Sequence, residues 1–217
     1  MKKISIIITC YNKENFIARA IRSSLNVLKK GFSVKVVVVN DGSTDESDSI
    51  IKRFSEKITY INLEENIGVA GASNKGLSAV KSDYWMRVDG DDFLSQDALI
   101  HMFPILNQNS EYSFVYANHV RVDEISAVTK YVDLKERETL FNHGAGVLFR
   151  SCIFDNEYVY DETYRNAEDY KLLKLLIDKN HKGFHLPLYL YRYYIHGDNL
   201  TLNENRQTYI EKAKHST

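Results

Sequence analysis

The sequence predicts an α/β protein built on a mostly parallel sheet flanked by helices, with a small irregular elaboration toward the C-terminus. Three observations predict it. Short β-branched runs alternate with helix-period segments through the first half of the chain. The run Val34 to Val39 is almost continuous valine, the pattern of a strand buried on both faces. Each run ends in a small polar cluster, where the loops of an open parallel sheet gather.

The elements follow in order. Ile4 to Thr9 is a β-branched run with a polar stop, and reads as the first strand. Asn15 to Leu28 reads as a helix, because Phe16, Ile17, Ala20, Ile21, Leu25 and Leu28 recur on one face until Gly31 breaks it. Val34 to Val39 is the second strand. Asp45 to Phe54 is a helix capped by Ser43 or Thr44. Ile58 to Leu63 is the third strand, Gly71 to Val80 a helix and Tyr84 to Val88 the fourth strand. Gln96 to Asn107 reads as a helix that Pro104 should kink or end early. Strands are expected at Phe114 to Ala117, Arg121 to Val122, Thr129 to Val132 and Gly146 to Arg150. Ala167 to Lys179 is a helix that buries Leu172, Leu173, Leu175, Leu176 and Ile177, and the tyrosine-rich run Leu186 to Tyr194 is strand-like.

Composition excludes several classes. A formal charge of −1 in 217 residues supplies no field for nucleic acid. The two cysteines, Cys10 and Cys152, have no metal spacing, so a reducing cytosol is the expected compartment. The apolar run after Met1-Lys2-Lys3 is too short for a secretion signal, and no stretch reaches membrane-spanning length. Neither G-x-G-x-x-G nor G-x-x-x-x-G-K-[ST] occurs, which disfavours a dinucleotide fold or a P-loop.

The chemistry concentrates at the strand ends. Thr9-Cys10-Tyr11-Asn12, Asn40-Asp41-Gly42-Ser43, Asn66-Ile67-Gly68 and Asp89-Gly90-Asp91-Asp92 follow strands one to four and should line one sheet edge. Each alone is equally well a turn or a helix cap. Together they supply the parts of a nucleotide site. Tyr11 can stack on a base, and Asp41 can accept from a base N–H. The three neighbouring aspartates repel one another unless a cation sits among them. Oxygen ligands of this kind suit Mg²⁺ or Mn²⁺, which also take phosphate oxygens.

Four segments, "ISIIITCYNKENFIARAIRSSL", "VVVVNDGSTDES", "NIGVAGASNKGLSAVKSDYWMRVDGDD" and "AEDYKLLKLL", occur in that order. By them the chain resembles the inverting glycosyltransferases of family 2, from about Ile4 to Thr201. The resemblance implies a Rossmann-like GT-A fold. It implies a single domain over 1–217, with 1–95 binding a nucleotide-sugar donor and 96–217 binding the acceptor and carrying the base. It implies that Thr9, Tyr11, Asp41, Asn66, Asn74 and Asp89 hold the donor. Asp91, with Asp89 and His196, would ligate Mn²⁺ or Mg²⁺, and Asp169 of the Glu168-Asp169 pair would act as general base. His196 either ligates or steadies phosphate; equally it reads as a loop histidine. Arg192 can also serve the phosphates. Asp92 would support the ligands from behind.

The implied reaction moves a sugar, from a UDP-sugar first, to a saccharide or lipid-linked saccharide acceptor, which would place the enzyme at the inner face of the membrane. Asn142-His143-Gly144-Ala145-Gly146 and the tyrosines between Tyr158 and Tyr194 would face the acceptor; a glycine turn and core packing explain them as well. Relatives often carry arginine where this chain has Ser73, so a cation near the nucleotide is expected to be missing. A silent nucleotide- or sugar-binding module and a nucleotidyltransferase are the competing readings, and the oligomeric state is left open.

Overall fold

The computed structural model describes residues 1–136, 140–141, 143–154, 159–197, 199 and 205–215. Strand β1 (Lys2–Cys10) is the axis of the fold. It pairs in parallel with β2 (Phe32–Asn40) on one side and β4 (Tyr84–Asp89) on the other, and β3 (Thr59–Asn62) adds in parallel to β2. Both faces are covered, as the valine run predicts. Ile4, Ile6, Ile8, Val36 and Val38 enter one cluster with Ile17, Ala20 and Ile21 of helix α1 (Ile17–Leu25). Ile7, Val37 and Val39 point the other way, against Ala72 of α3 (Gly68–Ser78). Alternation across the pleat feeds both layers from one strand, and each fully buried Ile or Val contributes about 1.5–3 kcal/mol.

Several boundaries differ from the sequence reading. Helix α1 stops at Leu25, so Leu28 falls beyond it and is exposed, its N–H bonded to the Gln96 carbonyl. The short helix α2 spans Ser47–Lys52 with Glu46 at its N-cap; Ser43 and Thr44 instead bind the loop after β1. Leu175 lies on the exposed side of its helix.

The second half wraps the sheet with mixed pairings. Strand β5 (Phe93–Leu94) leads to α4 (Ala98–Gln108), followed by β6 (Tyr112–Val122), β7 (Val128–Val132) and β8 (Leu148–Arg150). Helix α5 (Glu168–Asp178), β9 (Lys182–Tyr194) and α6 (Arg206–His215) complete the described chain. The strand order is β3-β2-β1-β4-β8-β6-β9-β5, with β7 on β6. Strand β8 runs antiparallel between β4 and β6, whereas the long β6–β9 pairing is parallel, so most registered residues are in parallel pairs. The segments expected as separate strands at Phe114–Ala117 and Arg121–Val122 are one strand. The pairing jumps from Ala117↔Leu186 to Asn118↔Tyr189, leaving Pro187 and Leu188 as a bulge. Proline has no N–H for the ladder and sits naturally there.

Pro104 does not end α4. The helix continues to Gln108 because Leu99, Met102, Phe103 and Leu106 are buried, with Phe103 packed 4.7 Å from Phe32. A helix-interior proline forfeits a hydrogen bond and clashes with the preceding turn, at about 3 kcal/mol. Pro104→Ala is therefore expected to raise stability, by roughly 1 kcal/mol or more after the added freedom of the unfolded chain is counted. Urea unfolding measures this; an unchanged or lower midpoint would mean the helix has already relieved the clash.

Candidate functional site

Strand β1 lies between β2 and β4, so the chain goes on from β1 to β2 on one side and crosses from β3 to β4 on the other, and the loops part at the carboxyl end of β1. A cavity of about 660 Å³ opens there. The loops after β1 and β2 are laced into one wall. Asn12 donates its N–H to Ser43 Oγ (3.0 Å), Lys13 to Ser47 Oγ (2.9 Å), and the Thr44 N–H bonds Asn12 Oδ1 (2.8 Å).

Asp41 accepts the N–H groups of Ile67 (2.8 Å) and Gly68 (3.0 Å) at the start of α3. Burial raises its pKa, and these two bonds and the nearby Arg165 act against that rise. Gly68 has φ +88°, and a Cβ there would stand 2.8 Å from Arg165 Nη1, so glycine both forms the turn and admits the guanidinium.

The three aspartates after β4 occupy three environments. Asp92 is fully buried and accepts from the Tyr191 hydroxyl and the Tyr194 N–H, both at 2.8 Å. Burial, then the charges of Asp91 and Asp89, hold its pKa well above the usual range. Asp91 is depressed instead: burial opposes ionisation, but His196 Nε2 at 2.9 Å and Lys13 Nζ at 2.7 Å outweigh it. Asp89 is raised by burial, with Arg87 Nε 3.2 Å away countering part of the shift. Its Oδ1 makes no hydrogen bond.

Arg87 is itself buried and donates to Glu168 Oε1 at 2.6 Å while lying 5.3 Å from the Tyr160 ring centroid. Glu168 opens α5 behind Ala167, whose left-handed φ of 59° turns the chain into the helix. The N-cap is thus Ala167, without a side-chain cap bond; Asn166 instead accepts from Arg206 Nη1 at 2.9 Å. The next residue, Asp169, projects into the cavity. Its Oδ2 accepts the Gly144 N–H (3.0 Å), its Oδ1 the Tyr170 N–H (2.8 Å), and Arg206 Nη2 stands 3.9 Å away. A Cβ on Gly144 would fall 2.1 Å from that of Asp169, so only glycine lets the two segments meet.

His143 stacks on His119 at 4.0 Å and meets the edges of Tyr191 and Tyr193. Burial, then the neighbouring His119 and arginines, holds it well below the usual histidine range; burial lowers His119 to about 4.

Thr9, Tyr11, Asp41, Asn66, Asp89, Asp91 and Asp169 all line the cavity. His196 reaches it through Asp91. Asn74 does not line it: its amide is spent on the Tyr160 backbone (2.8 and 2.9 Å) and on Glu162 (3.0 Å). Arg192 is directed to the Tyr189 carbonyl (2.7 Å). Ser73 bonds the Val69 carbonyl, and Arg165 lines the cavity beside Gly68 at the head of the same helix. Of the tyrosines, Tyr193 lines the cavity, whereas Tyr160, Tyr164, Tyr191 and Tyr194 are core. Asn142 and Tyr158 lie outside the described residues. Sequence reasoning missed Lys13, Arg87, Arg165 and Arg206 on the wall. Arg165 stands beside Glu168-Asp169 in sequence and was open to discovery there; the C-terminal Arg206 carried no local signal.

An open α/β sheet with a carboxylate-rich cavity at its switch point defines the class, and comparison with known proteins defines the family. Residues 5–154 match the model of "Glycosyl transferase family 2", and the chain belongs to that family. It is 32% identical over 170 residues to glycosyltransferase GlyA of Streptococcus pneumoniae, covering 76% of this chain and 22% of the relative. An uncharacterized glycosyltransferase of Rickettsia typhi, RT0329, is 30% identical over 183 residues, with 78% and 57% covered. The teichoic acid poly(glycerol phosphate) polymerase of Staphylococcus epidermidis is 28% identical, with 87% and 28% covered. The chain thus spans only 22% to 57% of these relatives. S. aureus TarS 1–349, solved with UDP-GlcNAc, shares the fold at a TM-score of 0.77 and 19% identity, over 97% of this chain and 64% of that one.

Arg87→Met leaves Asp89 and Glu168 buried without their cation, a loss of about 3–5 kcal/mol near neutral pH. Burial raises both carboxyls above their unfolded values. Between the unfolded and folded pKa the native state therefore holds protons that the unfolded state releases, and stability falls as pH rises. Removing Arg87 widens that window. The deficit should be smaller at pH 5 than at pH 8 in urea unfolding; a pH-independent deficit would mean Arg87 acts by packing alone.

Proposed function

We propose that this chain transfers a sugar from a nucleoside diphosphate sugar, UDP-linked in the first instance, to a hydroxyl of a saccharide or lipid-linked saccharide, with inversion and with Mn²⁺ or Mg²⁺. The observation that carries the reading is that Asp41, Asp89, Asp91 and Asp169 face one cavity large enough for a small ligand. The relatives' names support surface glycan as the product class. Residues 1–95 would hold the donor, and 96–217 would supply the base and receive the acceptor.

Asp169 takes the proton of the acceptor hydroxyl as its oxygen attacks the anomeric carbon. A new C–O bond forms while the bond to the diphosphate breaks on the opposite face. The two N–H groups on Asp169 fix its aim. Lys13, Arg165 and Arg206 set positive charge on the wall facing an anionic donor. Asp89, Asp91 and His196 would hold the divalent ion. The fit lies in the donor set, two carboxylates and an imidazole; Asp89 Oδ1, buried without a hydrogen bond, is ion-paired with Arg87 Nε at 3.2 Å. No group of three such side chains among the described residues would hold an ion alone, so donor oxygens and water would complete the shell. When bound, the ion neutralises charge on the departing diphosphate. No helix among the described residues is long and apolar enough to cross a membrane, so this part of the chain would meet a lipid-linked acceptor from the surface.

A thermal-shift titration with UDP and UDP-sugars, in Mn²⁺ and in EDTA, tests the donor site. A metal-dependent rise supports it; no rise with any nucleotide or nucleotide sugar would sink it. Asp169→Asn should retain the UDP shift and lose sugar transfer. Gly144→Ala pushes the base aside, and a displacement of about 1 Å costs roughly a hundredfold in rate. Unchanged turnover in either variant would remove Asp169 as the base.

A further inference from the structure

Lys13 is a charged group on the cavity wall whose contacts go beyond a general attraction for an anionic donor. Its ammonium stands 2.7 Å from Asp91 Oδ2 and 3.4 Å from His196 Nε2. It therefore shares both partners assigned to the divalent ion, and its side chain is largely buried against them. Its backbone is held separately by the N–H bond to Ser47 Oγ. Asp91 and His196 also touch each other at 2.9 Å, so the three groups form one closed cluster.

We propose that Lys13 is a resident cation that couples divalent-metal binding to nucleoside diphosphate binding. This rests on the metal-dependent reading above. Two like charges on one carboxylate oxygen repel strongly, so Lys13 opposes a divalent ion on Asp91 while the donor is absent. A diphosphate offers the ammonium other oxygens within the same cavity. Lys13 then leaves Asp91 for the diphosphate, and the carboxylate is freed for the ion. Metal alone binds weakly, nucleotide strengthens it, and by linkage metal strengthens nucleotide to the same degree. The arrangement guards the acidic cluster against free ions and holds Asp91 and His196 in place beforehand.

The test is calorimetric titration of the full chain with Mn²⁺, with and without UDP. For the wild type, UDP should raise Mn²⁺ affinity at least tenfold. Lys13→Met should bind Mn²⁺ alone about tenfold more tightly than wild type, and its gain from UDP should be about tenfold smaller than the wild type's, leaving only what direct ligation by the diphosphate supplies. Lys13→Arg, which keeps the charge, should resemble wild type. Equal or weaker Mn²⁺ binding by Lys13→Met would overturn the inference, as would wild-type Mn²⁺ affinity indifferent to UDP, a measurement that needs no variant. If Mn²⁺ binds neither protein while UDP still binds, the coupling falls and the nucleotide site stands. If UDP never binds, the donor reading falls and the Mn²⁺-only comparison still decides against or for competition by Lys13.

Discussion

The fold depends on a guanidinium almost wholly withdrawn from water. Arg87 sits on the strand that carries the acidic run, and its side chain reaches to Glu168 at the head of α5. A buried cation is tolerable only with its charge compensated. The two carboxylates that compensate it lie on different elements, which fixes strand and helix relative to each other. The backbone closes the ring: the Gly146 N–H bonds the Arg87 carbonyl at 2.8 Å, and the Gly144 N–H bonds Asp169. The short segment between those glycines is therefore clamped from both sides. The direction of Asp169 is set by this ring and not by its own rotamer alone.

The same constraint explains how three aspartates can stand in four positions without a large penalty. They do not share one environment. Asp92 turns inward to Tyr191 and Tyr194 and fastens β9 to the end of β4. Asp89 faces Arg87, and Asp91 faces Lys13 and His196. The run is thus partly scaffold and partly site. Its self-repulsion is divided among separate partners, with two of the carboxyls biased toward protonation and one toward charge.

The strands that carry the site were legible because each is a short apolar run, β-branched in β1 and β2, that ends in a polar cluster. The cavity edge followed from the rule that ligands meet an open sheet at its carboxyl ends. The second half was less legible, since its pairings join distant segments. Strand β8 has only three residues, and nothing in Leu148 to Arg150 announces partners on both β4 and β6. The bulge at Pro187 was not visible, because a proline signals only that a ladder bond is missing, not where the partner resumes. Asn74 misled for a related reason: a polar residue in a conspicuous motif is equally able to satisfy buried backbone, and here it does so for Tyr160. Asn166 is a residue type that favours helix caps, but the left-handed Ala167 takes the turn and leaves Asn166 to Arg206.

On the proposed reading, Arg165 supplies the donor side with a charge from a different source. The sequence has serine where the family resemblance leads one to expect arginine, on the face of α3. The structure brings a guanidinium to the head of that same helix from the turn before α5, through the space Gly68 leaves open. The change alters what the cation is tied to. An arginine on α3 would move with the first half of the sheet, whereas Arg165 is three residues from Glu168 and four from Asp169. On the proposed reading, a donor that engages Arg165 also bears on the turn that aims the base. The clamp around Gly144 limits how far that turn can yield. Donor binding and base placement are then mechanically linked through a short piece of chain, with Asn166 and Arg206 bracing its outer side.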